Sequence, residues 1–189
     1  YLPKGYDNKV IADLGIPRTE AAAFVGRVKN KVYKKRKRFL LRQEKLGRVA
    51  LLRADPGEPY NRLLNQIRCF VSADIGFGEY MIKNFEAMAA GCLLVAWRQP
   101  EQEQAELGCV EGENVVLYDS EQELEKKLAW LASDSPAAER IARAGQALVT
   151  KQHRWVDRAA VFPELLSAEI QRAPPITWRD RLKILGAGK

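Results

Sequence analysis

Residues 83–97 read KNFEAMAAGCLLVAW, a stretch that opens with helical spacing, breaks at Gly91 and continues as an apolar strand over 92–97. Phe85, Met88 and Ala89 mark the face of that helix that must pack. Glu86 places a carboxylate among them, where the helix-to-strand order puts the mouth of a core. A charge there needs a partner or a ligand, and the surrounding sequence has to supply one.

The alternation extends in both directions. Apolar runs predict strands at 21–26 (AAAFVG), 48–54, 69–73 (CFVSA), 92–97 and 113–119. Helical spacing is read over 33–47, with Phe39, Leu40 and Leu46 apolar, and over 60–68, with Leu63, Leu64 and Ile67 on one face. The turn signal DPGEP separates the second strand from the second helix. Ser120 and Glu123 form a capping box that starts a helix over 120–132, where Leu124, Leu128 and Leu131 recur. Ser135 and Pro136 open a further helical stretch that runs through 152 and resumes over 154–171. APP at 173–175 interrupts it before an amphipathic tail. Short apolar strands alternating with helices predict an α/β fold, a Rossmann-like parallel sheet with helices on both faces. Ligands of such sheets sit at the carboxyl ends of the strands. Candidate site residues therefore follow positions 26, 54, 73, 97 and 119.

At 189 residues the chain fits one domain with a tail: 1–172 as the domain, with 1–20 as a lead-in linker, and 173–189 as the tail. A chain of this size buries about 70% of its unfolded surface and needs no metal or disulfide staple. No apolar run reaches the ~18 residues of a spanning helix, and no signal peptide is read. Three cysteines in or beside apolar runs, a single histidine and no C-x-x-C pair predict buried thiols in a reducing compartment and no metal site. The net charge of +7 is uneven: residues 1–53 carry 15 basic and 4 acidic side chains, or +11, and the rest carries 16 and 20, or −4. That asymmetry points to an anionic partner near the first third.

Two segments fall at the expected strand ends. After the first strand, GRVKNK (26–31) offers a turn at Gly26 and cations at Arg27 and Lys31 suited to phosphate oxygens, or else a solvated charge run. After the third, GFGEY (76–80) brings Gly76, Gly78 and Tyr80 to a helix start, where free N–H groups receive phosphate, or else makes a plain turn. Glu79 and Glu86 are seven apart and are read on one helix face. A carboxylate there accepts hydrogen bonds from vicinal hydroxyls such as those of a ribose; alternatively Glu79 favours the helix dipole and Glu86 pairs with a nearby cation.

These segments together resemble the C-terminal, donor-binding domain of GT-B fold glycosyltransferases, in the large retaining group of glycogen synthase-like and lipopolysaccharide-core enzymes. AFVGR is similar to that family's first strand and phosphate-contacting arginine, and NFEAMAAGCLLVAW to its Glu-Ala-Met-Ala-x-Gly helix and following strand. ENVVLYDSEQELEKKLAWLASD, KQHRWVDRAA and the leading YLPKGYD resemble its later strand–helix, its closing helix and its interdomain linker. The resemblance implies a nucleotide-diphosphate sugar as donor, with no resident cofactor. Arg27, Lys31, Gly76, Gly78, Tyr80 and Glu86 would bind it, and Glu79 would be the catalytic carboxylate that contacts the sugar. The family's first glutamate falls at Gly78 here, one residue before Glu79, which leaves a shifted or lost first carboxylate. Lys29, Lys31, Lys34 and Lys35 all compete for the lysine role, with Lys31 preferred.

The resulting expectation is a glycosyltransferase piece, inactive without an upstream acceptor-binding half, transferring sugar to a glycan or lipid-linked acceptor. It would be cytoplasmic or peripheral on the inner face of the membrane. The alternative is a non-catalytic nucleotide- or anionic-surface-binding module of the same fold. The basic run Lys34 to Arg38 is either a solvated helix face or a surface for anionic membrane or acceptor. Nucleic acid is not expected, since only Tyr33 and Phe39 interleave aromatics with that run. His153 reads as a packing or capping residue, and Trp97, Trp130 and Trp155 as core or sheet-edge aromatics.

Overall fold

Five of the apolar runs pair as parallel strands in a computed structural model that describes residues 4–28 and 33–172. They are β1 (Glu20–Val25), β2 (Ala50–Leu52), β3 (Ile67–Ser72), β4 (Leu93–Trp97) and β5 (Val116–Tyr118). Their order is β2-β1-β3-β4-β5, with registers Ala23↔Ala50, Ala22↔Cys69, Val71↔Val95 and Val95↔Val116. β3 and β4 are buried nearly end to end. That is why they read as continuous apolar runs rather than alternating ones.

Seven helices accompany them among the described residues: α1 (Lys34–Lys45), α2 (Glu58–Asn65), α3 (Ile82–Ala89), α4 (Glu101–Leu107), α5 (Glu121–Ser133), α6 (Ser135–Gln152) and α7 (Trp155–Arg172). The chain steps outward from β1 to β2, then crosses back to β3 and continues the other way. Right-handed crossovers in opposite directions put α1 on one face and α2 and α3 on the other. α5 joins α1, held by Arg42–Glu121 at 2.9 Å and Arg48–Glu125 at 2.6 Å. α6 lies against α3 and β4 at Gly145, where a Cβ would stand 2.6 Å from the Asn114 carbonyl oxygen. Glycine is the residue that lets the two backbones approach.

Several boundaries differ from the sequence reading for local reasons. α2 starts at Glu58 because Pro59 suits a first helical turn, and Ile67 opens β3 instead of closing α2. α4 has no apolar period to announce it; its limits are Pro100 and Gly108, the latter left-handed at φ 70°. The capping box forms, with Ser120 Oγ accepting from the Glu123 N–H at 3.2 Å and Glu123 Oε2 accepting from the Asp119 N–H at 2.9 Å. Trp97 packs edge-on against Phe39 and Tyr118, whereas Trp130 and Trp155 stand on exposed helix faces, outside the core. The 173–189 segment, APP included, lies outside the described residues.

The chain divides into two compact units, Tyr1–Arg158 and Ala159–Lys189, and the whole sheet belongs to the first. Of the second, the described part is the remainder of α7, with Pro163 inside it and Val161, Phe162, Leu165 and Leu166 exposed.

Within the first unit the lead-in segment is clasped to the end of α6. The Tyr6 N–H donates to the His153 carbonyl at 3.0 Å, and the Trp155 N–H to the Tyr6 carbonyl at 2.9 Å. His153 caps α6 and is buried, its Nε2 bonded to the Leu107 carbonyl at 3.0 Å and its Nδ1 against the Arg158 guanidinium. Burial, and then Arg158, hold the imidazole down at about 4, against an ordinary 6.5. Between those values the unfolded chain binds the extra proton and the folded one does not. Stability present above pH 6.5 is therefore lost as pH falls towards 4, by roughly 3 kcal/mol at most. Urea unfolding from pH 7 to 4 should show this slope, and His153→Gln should flatten it.

Candidate functional site

The strand order reverses between β1 and β3, so the crevice of this sheet opens at their carboxyl ends. One side chain organises it. Asp74, two residues beyond β3, is 1% exposed. Its Oδ2 accepts hydrogen bonds from Ser72 Oγ, the Met81 N–H and Asn84 Nδ2, each at 3.0 Å. The Arg36 guanidinium, 6% exposed, lies 3.9 Å from its Oδ1. Burial pushes the Asp74 carboxyl up, while those three hydrogen bonds and Arg36 pull it down. Burial pulls Arg36 down in turn, against the attraction of Asp74. The guanidinium is stacked 4.1 Å from the Tyr33 ring centroid, with Phe24 and Phe77 each at 5.9 Å. The loop after β3 is thereby tied at Asp74 and Met81, and α3 begins at a fixed place.

From that start α3 carries Glu86 one turn in, half-buried, with Phe85, Met88 and Ala89 packed into the core. Glu86 Oε2 accepts from the Tyr60 hydroxyl at 2.7 Å. Lys83 donates to the same hydroxyl at 3.5 Å, and its ammonium lies 4.8 Å from the Tyr60 ring centroid. Burial pulls the Lys83 ammonium below its usual range, opposed by Glu86 and reinforced by Arg36. Burial, then Glu86, hold the Tyr60 phenol protonated. The Lys83 stem crosses the turn at Gly26, whose φ is 153°, and a Cβ there would meet Lys83 Cε at 3.2 Å. The lysine thus connects the end of β1 to the Glu86 helix.

Arg27 is exposed directly after that turn. Lys31 lies outside the described residues. Of its described competitors, Lys35 approaches the glycine loop, with Nζ 3.9 Å from where a Gly76 Cβ would stand. Gly76 and Gly78 are exposed at φ 81° and 72°. Among the described residues nothing bonds their N–H groups, whereas at the start of α3 the Met81 N–H is already taken by Asp74. Free loop amides suit an anion.

Two readings need correction. Glu79 does not share a helix face with Glu86: α3 begins only at Ile82, since Asp74 holds the Met81 N–H and Met81 is extended. Glu79 sits in the loop, 54% exposed at its side chain, in an ion pair with Lys4 at 2.7 Å. The Tyr80 side chain runs into the core and not towards the crevice, and its N–H donates to Glu103 Oε1 at 3.0 Å. Arg36, Asp74, Tyr60 and Lys83 are not among the site residues that the sequence singles out. Asp74 had a signal, an acid directly after a buried strand; Arg36 was hidden in a basic run that otherwise faces water.

Among the described residues no three His, Cys, Asp or Glu side chains are grouped to hold a metal, and no helix is long and apolar enough to cross a membrane. A family model described as glycosyl transferase-like matches residues 20–163. No protein of curated function matches the chain in sequence. Among solved structures, sucrose-phosphate synthase from Thermosynechococcus elongatus superposes with a TM-score of 0.65 at 15% identity, over 91% of this chain and 53% of that one. HepE from Anabaena in complex with UDP-glucose gives 0.60 at 22%, over 78% and 40%. The C-terminal domain of a glycosyl transferase group 1 family protein, LpcC from Francisella tularensis, gives 0.56 at 19%, over 79% and 99%. The likeness is one of fold, and the chain spans about half the length of the first of these.

Removing the Asp74 carboxylate leaves the Arg36 charge buried and three donors unmet. Asp74→Ala should lower stability by about 3–5 kcal/mol, with Asp74→Asn milder, as measured by chemical denaturation. Limited proteolysis of the alanine variant should open the 75–80 loop first.

Proposed function

We propose, given that this chain belongs to the family of glycosyl transferase-like proteins, that its crevice binds a nucleotide-diphosphate sugar. The sugar is presented for transfer to a glycan or lipid-linked acceptor. One observation carries the reading. At the β1/β3 switch point, α3 carries a half-buried carboxylate linked through Tyr60 to Lys83, whose stem crosses the Gly26 turn before Arg27, and an exposed glycine loop precedes the helix.

Each part answers to part of the donor. Glu86 accepts hydrogen bonds from the vicinal ribose hydroxyls. Arg27 and Lys35, together with the Gly76 and Gly78 amides, take the diphosphate; Lys31 is assigned to the same anion on the sequence alone. In transfer the bond from the anomeric carbon to the diphosphate oxygen breaks, and an acceptor oxygen takes its place as its hydroxyl proton leaves. Negative charge builds on the departing diphosphate, and fixed cations and amides stabilise it there. Glu79 is assigned to the donor sugar, at the exposed side of the loop, where it pairs with Lys4. The donor is a substrate, and no resident cofactor enters the reading. Tyr80 contributes by packing the loop from below. The location proposed is the cytoplasm, including the inner face of its membrane.

A second reading rests on α1. Its first turn contains no acidic side chain and has no side-chain cap, and Lys34, Lys35 and Arg38 are exposed. Cations at a helix start oppose its dipole, so an anionic surface laid against this end would relieve them.

Glu86→Ala should weaken nucleotide binding by about 1.5–3 kcal/mol, the range for hydrogen bonds to a charged group. Calorimetry with a panel of nucleotide sugars measures it, and unchanged affinity removes Glu86 from the site. For α1, sedimentation with anionic vesicles should fall steeply with salt. No binding at low salt would leave a solvated face.

A further inference from the structure

The chain of contacts through Tyr60 sits at the crevice but belongs to neither the family resemblance nor the sequence reading. Tyr60 is placed by the turn before α2: Gly57 takes φ 90°, Pro59 lies in the first turn, and the next residue projects towards α3. Its ring is half-buried, and its hydroxyl lies between a cation and an anion. Lys83 donates into the phenol oxygen at 3.5 Å, and the phenol donates into Glu86 Oε2 at 2.7 Å. Hydrogen bonds in such a series polarise one another.

The direction of the series is fixed. Ionised Glu86 has no proton to give, and the ammonium has no lone pair to accept with. The phenol must therefore donate to the carboxylate and accept from the lysine. This occupies one lone pair of Oε2 and restrains rotation of the carboxylate, leaving Oε1 and the second lone pair of Oε2 for other donors. A carboxylate on a flexible stem loses rotamer freedom when it binds two hydroxyls at once, and one already pinned by its own hydrogen bond has less to lose.

We infer that Tyr60 is the positioning residue for hydroxyl recognition at Glu86, holding the carboxylate plane so that it reads the vicinal hydroxyls of a ribose, with Lys83 anchoring the relay. This rests on the donor reading given above. Tyr60 itself touches no reacting atom. Its hydroxyl is what matters, because the ring alone retains the packing against the Lys83 ammonium.

The test compares wild type, Tyr60→Phe and Glu86→Ala by calorimetry with UDP, 2′-deoxy-UDP and 3′-deoxy-UDP, with circular dichroism confirming the fold of each variant. Loss of the relay hydroxyl should weaken UDP about tenfold and bring the affinities of UDP and its deoxy analogues towards equality. Equal weakening of all three, with the ratio kept, marks a general packing role and overturns the proposal. So does tighter binding, which would make Tyr60 a competitor for Glu86, and so does no change. If Glu86→Ala also leaves UDP affinity unchanged, or wild type binds none of the three, the donor reading itself falls and takes the proposal with it. If Glu86→Ala weakens binding while Tyr60→Phe is silent, only the positioning role falls.

Discussion

Everything at the crevice hangs on one buried carboxylate. Asp74 takes three hydrogen bonds, from the end of its own strand, from the residue before α3 and from the first turn of α3. Its own carbonyl accepts from Gln99 Nε2 at 3.1 Å, so the residues following β3 and β4 are held together at their carboxyl ends. The alternative partner for that carboxylate would be water, and the site is closed to it. Arg36 approaches from α1 on the opposite face, bringing the third element that borders the switch point under the same constraint. With these groups satisfied by one another, the loop is fixed at its two ends and turns between them through left-handed Gly76 and Gly78.

This constraint separates the packed side of α3 from its crevice side. Phe85, Met88 and Ala89 hold the helix to the core, and α6 supports it through Gly145 and Met88. The other side carries Lys83 and Glu86 into a partly dry space where charge is costly, which is why burial shifts Lys83 downwards. Shifts of this kind mark a candidate site. The loop is tuned differently: Glu79 and Lys4 meet at the partly exposed surface, in an ion pair of the kind that contributes little to stability.

The sheet was legible because each strand is a continuous apolar run, and runs of that kind need no knowledge of the partner strand. β1 and β4 came within a residue of their observed limits and β3 within two, whereas the short β2 and β5 were overextended. The place of Glu86 on the helix before β4 was legible because Gly91 and the apolar run after it mark where that helix ends. The partners of Glu86 were not. Tyr60 lies 26 positions away and meets it only because α2 and α3 share a face of the sheet. Arg36 looked like its neighbours in a run of lysines and arginines, and only the helix phase turns it inward. Glu79 was misjudged by the same token: seven residues equal two helical turns only if the helix has already begun.

The clasp between Tyr6 and the end of α6 has a mechanical corollary. A backbone segment that arrives at Tyr6 and one that departs after Trp155 pass through the same corner, stitched by two hydrogen bonds. Gly5 is what allows so close a passage, since a methyl group there would stand 2.4 Å from the His153 carbonyl oxygen. Any side chain at position 5 would therefore pry the segment at Tyr6 away from the end of α6 and loosen both hydrogen bonds together.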